Sequence, residues 1–189
     1  MSMFSQFDYY VLMFLNSFSF LDPFMLFVSL QFDYFLFLIL AALFYFRGRQ
    51  ETILFLALLV SSWAIAMALK PVFEVPRPET IRFVTCTTGY SMPSGHSLMS
   101  FSLATFLHPR AGKYKLLVWA FAITVSLSRI FIGVHYPSDV IVGAFIGCLV
   151  GFFWLYVEKI LKKYGLFGNS REPLEGSENG VFDQTLQQP

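Results

Sequence analysis

Long apolar stretches separated by short polar turns dominate the chain from residue 23 to about residue 160. Residues 4 to 20 differ, because apolar side chains there recur at helical spacing but Asp8, Asn16 and Ser19 interrupt them, which is typical of a helix lying along a membrane interface. A bilayer core of about 30 Å requires roughly 20 residues of helix. The pattern predicts an all-α integral membrane bundle with an N-terminal interfacial helix and about five transmembrane helices, at residues 23 to 46, 52 to 69, 93 to 107, 116 to 132 and 137 to 160.

The composition supports a membrane protein. Of the 189 residues 56% are hydrophobic and 19% aromatic, and the mean hydropathy of +0.62 lies outside the range of soluble domains. The net charge of +1 gives no reason to expect a nucleic-acid partner. We expect one membrane domain over residues 1–163. Residues 164–189, rich in Gly, Asn, Ser, Pro, Glu and Gln, are typical of a disordered tail or an engineered remnant.

The third stretch is less apolar than the others and begins with Pro93-Ser94-Gly95-His96. It contains a series of hydroxyl side chains, Ser97, Ser100, Ser102 and Thr105. Small hydroxyl residues suit close packing between membrane helices. We therefore expect this helix to be shielded by its neighbours.

Basic residues segregate to one side of the predicted bundle. With five crossings, one side holds the turn at 47–51, the connector at 108–115 and the C-terminal end, which together carry Arg47, Arg49, Arg110, Lys113, Lys115, Lys159, Lys162 and Lys163. The positive-inside rule makes this the cytoplasmic side. The other side receives Lys70, His96, Arg129 and His135, so the residues that could take part in a reaction converge there.

The segment Ser128 to Asp139 places an arginine, a histidine and a carboxylate in an apolar chain, where such groups are costly. His135 and Asp139 are four residues apart, so on a helical path the carboxylate can orient the imidazole as a nucleophile or base. Pro137 stands where proline opens a helix, and free N–H groups at a helix start attract anions. Arg129 can bind an oxyanion in bidentate fashion. The segment therefore indicates phosphate chemistry at a membrane surface.

Two further segments offer anion-binding groups. Lys70 and Arg77 frame a proline-rich loop that could hold two cations in place. An alternative for each is a juxtamembrane cation that binds lipid headgroups. Ser94 and Gly95 can cradle an oxyanion at a helix start, beside His96. The alternative there is a capping serine with an incidental histidine.

Together these residues fit phosphoester hydrolysis. Of two histidines, one can attack phosphorus and form a covalent intermediate while the other protonates the departing oxygen. Arg129, Lys70 and Arg77 would neutralise charge on the phosphoryl oxygens in place of metal ions. We therefore expect no metal and no cofactor. The third histidine, His108, falls on the basic side and is interpreted as an interfacial residue.

These residues resemble the type 2 phosphatidic acid phosphatase superfamily, which also contains vanadium-dependent haloperoxidases and glucose-6-phosphatase. The resemblance covers roughly residues 50 to 160. The family signature has three parts, all present and in order: Lys70 with Arg77-Pro78, Pro93-Ser94-Gly95-His96, and Ser128-Arg129 with His135 and Asp139. The resemblance implies that His135 is the nucleophile that forms a phosphohistidine, that Asp139 orients it and that His96 is the general acid. It also implies a phosphoryl-binding set of Lys70, Arg77, Ser94, Gly95 and Arg129.

Family members of this size act on lipid phosphates or diphosphates in the membrane. The short loops are most similar to those of bacterial undecaprenyl diphosphate phosphatases, in the inner membrane with the site facing the periplasm or cell exterior. A lipid A phosphatase, or a phosphatidylglycerophosphate or phosphatidic acid phosphatase, fits nearly as well. A non-catalytic lipid-binding or transport protein is the alternative of another class. A haloperoxidase is disfavoured because the chain has no separate soluble domain.

Overall fold

The computed structural model describes residues 3–78 and 88–166, and within these ranges all regular structure is helical. Short 3-10 turns lie at Ser19–Leu21, His108–Arg110 and Gly112–Tyr114. The α-helices are α1 Met3–Asn16, α2 Asp22–Arg47, α3 Arg49–Phe73, α4 Gly95–Leu107, α5 Lys115–Phe131 and α6 Pro137–Lys163. The expected all-α class is confirmed. The expected C-terminal tail falls almost wholly outside the described residues, as does part of the loop after α3.

The short helix α4 forms the centre of the bundle. It packs against α6, α5 and α3, and most of its residues are buried. Its hydroxyl groups bond neighbouring helices: Ser97 Oγ donates to Val140 O over 2.8 Å, and the Ser62 and Ser102 hydroxyls lie 2.9 Å apart. The prediction that neighbouring helices shield this weakly apolar helix is confirmed.

Three glycines in one row of α6 allow it to approach α4 closely. A Cβ built at Gly143 would lie 2.7 Å from Ser94 O, and one at Gly147 would lie 2.3 Å from Leu98 O. At Gly151 it would lie 2.5 Å from the Thr105 side chain. Real Cβ atoms do not approach so closely, so the two backbones touch because these positions have no side chain.

Among the described residues, three helical segments are long and apolar enough to cross a membrane: α3, Gly112–Phe131 and α6. A fourth candidate is a bent pair, Gln6–Asn16 with Ser19–Asp33, at 66°. The expected crossing at residues 23 to 46 corresponds to α2, which enters this comparison only up to Asp33. The difference from the expected five arises in α4. With 13 residues α4 is only about 20 Å long, less than the roughly 30 Å of hydrocarbon. Hydropathy predicted it as a crossing because its enclosure by other helices cannot be read from composition.

The bundle has two chemically different ends. At one end Arg110 pairs with Glu158, and its Nε lies 3.5 Å from Glu51 Oε2, which joins the α4–α5 connector to α3 and α6. Lys162 Nζ donates to Glu158 Oε1 over 2.7 Å at the same end. The other end receives the last turn of α3, the first turns of α4 and α6, and the turn after α5.

The last turn of α3 differs from the prediction. The apolar pattern ended the second span at residue 69 and began a loop at Pro71, whereas the helix continues to Phe73 with Pro71 inside it. Glu74 N–H then donates to Lys70 O over 3.0 Å, with Glu74 in the left-handed region at φ 50°. A proline so near a helix end removes one backbone hydrogen bond without preventing the last turn.

Candidate active site

One backbone and one side-chain hydrogen bond bring three distant segments together at the end opposite Glu158. Ser94 N–H at the start of α4 donates to Asp139 O in the first turn of α6 over 3.1 Å. Arg77 Nη1 donates to Val134 O, directly before His135, over 3.0 Å. All of the predicted site residues therefore lie on segments that meet at one end of the bundle.

His135 and Asp139 form a buried pair. His135 Nδ1 lies 3.3 Å from Asp139 Oδ2, and the two residues are 3% and 0% exposed. The same carboxylate oxygen accepts the Tyr136 N–H over 2.8 Å, which holds the start of α6 against the histidine. Pro137 is the first residue of α6, as its position predicted, so the carboxylate also benefits from the helix dipole.

The environment keeps the His135 imidazole neutral. Burial lowers the pKa of His135 to about 4, while the hydrogen bond and charge of Asp139 act in the opposite direction. With Nδ1 donating to the carboxylate, the second ring nitrogen carries the lone pair. A neutral, oriented imidazole is the form that can attack an electrophile.

Arg129 lies buried in the last turn of α5, at 7% exposure. Its Nη1 donates to the hydroxyl of Ser29 in α2, and its Nε has no hydrogen-bond partner within the described part of the chain. Lys70, Arg77 and Arg129 are close enough for their charges to act on one another. Three neighbouring cations with unused donors make this end of the bundle suitable for an anion.

Arg77 fixes the nearby loop backbone in addition to supplying a positive charge. Its Nε donates to Gly89 O over 3.1 Å, and Nη2 donates to Thr88 O over 3.4 Å. Together with the bond to Val134 O, these contacts tie the loop before α4 to the turn that carries His135. The guanidinium has five N–H groups, so donors remain for a ligand.

Ser94, Gly95 and His96 form the start of α4. Ser94 is fully buried, and its hydroxyl neither caps the helix nor finds another partner among the described residues. This argues against the alternative of a capping serine. The His96 ring lies against Phe32 at 5.4 Å between centroids. Burial, together with Arg129 and His135 nearby, lowers the pKa of His96 to about 3. An unpaired buried hydroxyl beside a helix N-terminus suits an oxyanion.

Two structural contributions were not predicted. Ser29 in α2 supports Arg129, but a single serine in an apolar stretch carries no distinguishing signal. The glycines at 143, 147 and 151 are spaced every four residues, and this small-residue pattern could have been read as a packing face. Asp33 in α2 also lies close enough to Arg129 for its charge to act on the guanidinium.

The PAP2 superfamily model matches residues 50–162, more than half of the chain. This protein belongs to the PAP2 superfamily. The resemblance based on the three sequence motifs is thereby confirmed, and the match includes every predicted site residue.

Three similar proteins show the range of the family. The chain is 31% identical to lipid phosphate phosphatase gamma of Arabidopsis thaliana over 60% of its length and 56% of that protein. It is 34% identical to undecaprenyl-diphosphatase of Sulfolobus acidocaldarius, over 53% of each. The chain thus spans about half the length of these relatives. A Bacillus subtilis transmembrane PAP2 type phosphatidylglycerolphosphate phosphatase shares the fold, with a TM-score of 0.73, 22% identity and coverage of 87% of this chain and 90% of the other.

Proposed function

We propose that this PAP2-superfamily protein is a metal-independent lipid phosphatase that works through a phosphohistidine. The observation that carries the proposal is the buried His135–Asp139 pair at the same end as three cations and the unpaired hydroxyl of Ser94. A neutral nucleophile beside a cationic anion site has the parts that phosphoryl transfer needs.

In the first step the free ring nitrogen of His135 attacks phosphorus, and the bond from phosphorus to the lipid oxygen breaks. The negative charge of the bound phosphoryl group raises the pKa of His96 from about 3, so that His96 is protonated in the complex and gives its proton to that oxygen. The lipid leaves as an alcohol from a monophosphate, or as the lipid monophosphate from a diphosphate. Asp139 stabilises the positive charge that forms on the imidazole. Lys70, Arg77, Arg129 and the Ser94–Gly95 segment hold the phosphoryl oxygens.

In the second step water attacks the phosphohistidine, and the phosphorus–nitrogen bond breaks. His96, now neutral, takes a proton from the water, and His135 returns to its starting form. Free phosphate is the second product.

The substrate is proposed to be a lipid phosphate or diphosphate held in the bilayer, because the site lies at one end of a helical bundle with an apolar surface. Among these, undecaprenyl diphosphate is favoured. Lipid A, phosphatidylglycerophosphate and phosphatidic acid are the alternatives, and the names of the similar proteins cover more than one of these classes. We infer a bacterial inner membrane with the basic Arg110 end in the cytoplasm and the site facing outward.

Phosphate release from purified protein in detergent with EDTA tests the proposal, using undecaprenyl diphosphate, lipid A, phosphatidylglycerophosphate and phosphatidic acid. We expect His135→Ala and His96→Ala to abolish release. His108→Ala is the matched control, because His108 lies at the other end and accepts a hydrogen bond from Trp119 Nε1 over 3.0 Å. Release that persists unchanged in both site variants would refute the mechanism. Lipid binding without release from wild-type protein would favour a non-catalytic lipid-binding role.

A further inference from the structure

One face of α1 combines two polar residues with a fully buried leucine. Asp8, Leu12 and Asn16 are four residues apart, so they form one row along the helix. Leu12 is 0% exposed and packs in a cluster with Ile130 of α5 and Val140 of α6. This row therefore faces the two helices on either side of the His135 turn.

The carboxylate of Asp8, in α1, contacts the start of α6. Its Oδ1 accepts the Ser138 N–H over 3.0 Å, from a residue 130 positions away in sequence. Ser138 is the second residue of α6, where backbone N–H groups lack partners within the helix. A carboxylate at this place satisfies a donor and complements the helix dipole.

Asn16 lies at the end of α5. Its Nδ2 donates to Phe131 O over 2.9 Å, and Phe131 is the last residue of α5. Carbonyl groups in the last turn of a helix lack intrahelical partners, and a buried one is costly to leave unpaired. Asn16 is itself only 4% exposed, so the contact is inside the protein.

The two contacts match the polarity of the helix ends that they meet. An acceptor side chain binds the N-terminus of α6, a donor side chain binds the C-terminus of α5, and Leu12 is packed between them. The segment from 132 to 136, which includes His135, is the connection between those two ends. Asp139 lies directly after Ser138, so the Asp8 contact is one residue from the carboxylate that orients His135.

We propose that α1 forms a bracket, meaning that it ties together the two helix ends on either side of the turn at residues 132–136. Asp8 and Asn16 are then positioning residues, which act on His135 through the backbone of Ser138 and Phe131. This inference rests on the proposed phosphatase function. Neither side chain touches the reacting atoms. Their effect is to hold the nucleophile in register with phosphorus, where a displacement of about 1 Å can reduce the rate about a hundredfold.

The test compares variants that remove a contact with variants that keep it. Asp8→Ala removes the acceptor, whereas Asp8→Asn keeps an acceptor oxygen of the same reach. Asn16→Asp is isosteric and removes the donor. Gln6→Ala is the control, because Gln6 is exposed on the same helix. We expect Asp8→Ala and Asn16→Asp to lower kcat about tenfold with KM changed by less than about twofold, and Asp8→Asn and Gln6→Ala to retain most activity.

Amide hydrogen exchange of the peptide covering residues 132–139 is the second readout, measured on monodisperse protein. We expect faster exchange in Asp8→Ala and Asn16→Asp than in wild type and Gln6→Ala. Unchanged exchange, equal activity loss in Asp8→Ala and Asp8→Asn, or a loss that only follows the unfolded fraction would overturn the bracket. If wild-type protein releases no phosphate from any lipid, the proposed function fails and the exchange result alone decides this inference.

Discussion

The Ser94 N–H donates a hydrogen bond to the Asp139 carbonyl oxygen over 3.1 Å, and this bond joins the helix that carries His96 to the turn that carries His135. Gly143, one turn further along α6, would place a Cβ only 2.7 Å from Ser94 O. The backbones of α4 and α6 thus touch beside the candidate site. The relative position of the two imidazoles depends on this main-chain contact, so its disturbance should affect both stability and activity.

The glycine row gives a prediction about stability. Gly147→Ala would place a Cβ 2.3 Å from Leu98 O, which forces α4 and α6 apart. Overpacking of this kind costs about 1–3 kcal/mol, more than the gain of up to about 1 kcal/mol from alanine's better helix propensity. We expect a lower thermal unfolding midpoint in detergent. Leu149→Ala is the control because Leu149 is exposed, and equal midpoints for the two variants would contradict the packing argument.

Ser94→Ala should separate activity from stability. The Ser94 hydroxyl is buried without a partner among the described residues, so its removal relieves a desolvation cost rather than breaking a bond. We expect an unchanged or slightly raised unfolding midpoint. If the hydroxyl binds the phosphoryl group, kcat/KM should fall about 10- to 100-fold, and vanadate should inhibit less strongly.

Ser100→Ala is the matched control for that variant. Ser100 is also a buried serine of α4, but its hydroxyl bonds Ser97 O over 3.1 Å. We expect it to lower the unfolding midpoint and leave kcat/KM near the wild-type value. The opposite result, with Ser100 affecting catalysis and Ser94 affecting only stability, would remove Ser94 from the anion site.

The pH dependence follows from the environment of His135. Burial lowers its pKa to about 4, so the nucleophile stays neutral between pH 6.5 and 5, where an exposed histidine would protonate. We expect a bell-shaped profile of kcat in which protonation of His135 causes loss only near pH 4. Deprotonation of His96 sets the alkaline limb in the substrate complex, because the bound phosphoryl anion raises its pKa from about 3. Asp139 raises this pKa, so Asp139→Asn should move the acid limb lower while reducing the rate.

The lowered pKa of His135 also makes the free energy of unfolding depend on pH. Because the folded protein disfavours protonated His135, the unfolded chain binds more protons as the pH falls below 6.5. This contribution to stability is complete above pH 6.5 and declines until about pH 4. A His135→Ala variant should lose less stability than wild type over that interval.

A flat activity profile from pH 4 to 9, with chemistry rate-limiting, would contradict the roles assigned to His135 and His96.

The reactive residues of the site were easier to predict from the sequence than the contacts that hold them in place. Charged groups are costly in an apolar chain, so Arg129, His135 and Asp139 signal function by their presence, and the four-residue spacing predicts the pair that the structure shows. The convergence of Lys70 and His96 on the same end follows from counting turns between helices. These inferences use only local spacing and the order of elements.

Other features depend on contacts between distant residues, which spacing does not record. The row of glycines is visible in the sequence, but its partner α4 is not. Asp8 and Asn16 were read as interruptions of an interfacial helix, whereas they bond Ser138 and Phe131. The central place of α4 is also hidden, because a short enclosed helix and a membrane crossing have similar composition.

Arg77 provides a test that distinguishes charge from geometry. Its guanidinium donates to the carbonyl oxygens of Gly89, Thr88 and Val134, so it holds the turn before His135 in addition to supplying a cation. Arg77→Lys keeps the charge but loses the planar fork, and an ammonium on a flexible chain cannot reach all three oxygens. We expect Arg77→Lys to restore only a small part of the kcat/KM lost in Arg77→Ala. Faster amide exchange around residues 132–136 should accompany both changes. Near-wild-type kcat/KM in Arg77→Lys would mean that charge alone matters at this position, and that the backbone contacts do not position the nucleophile.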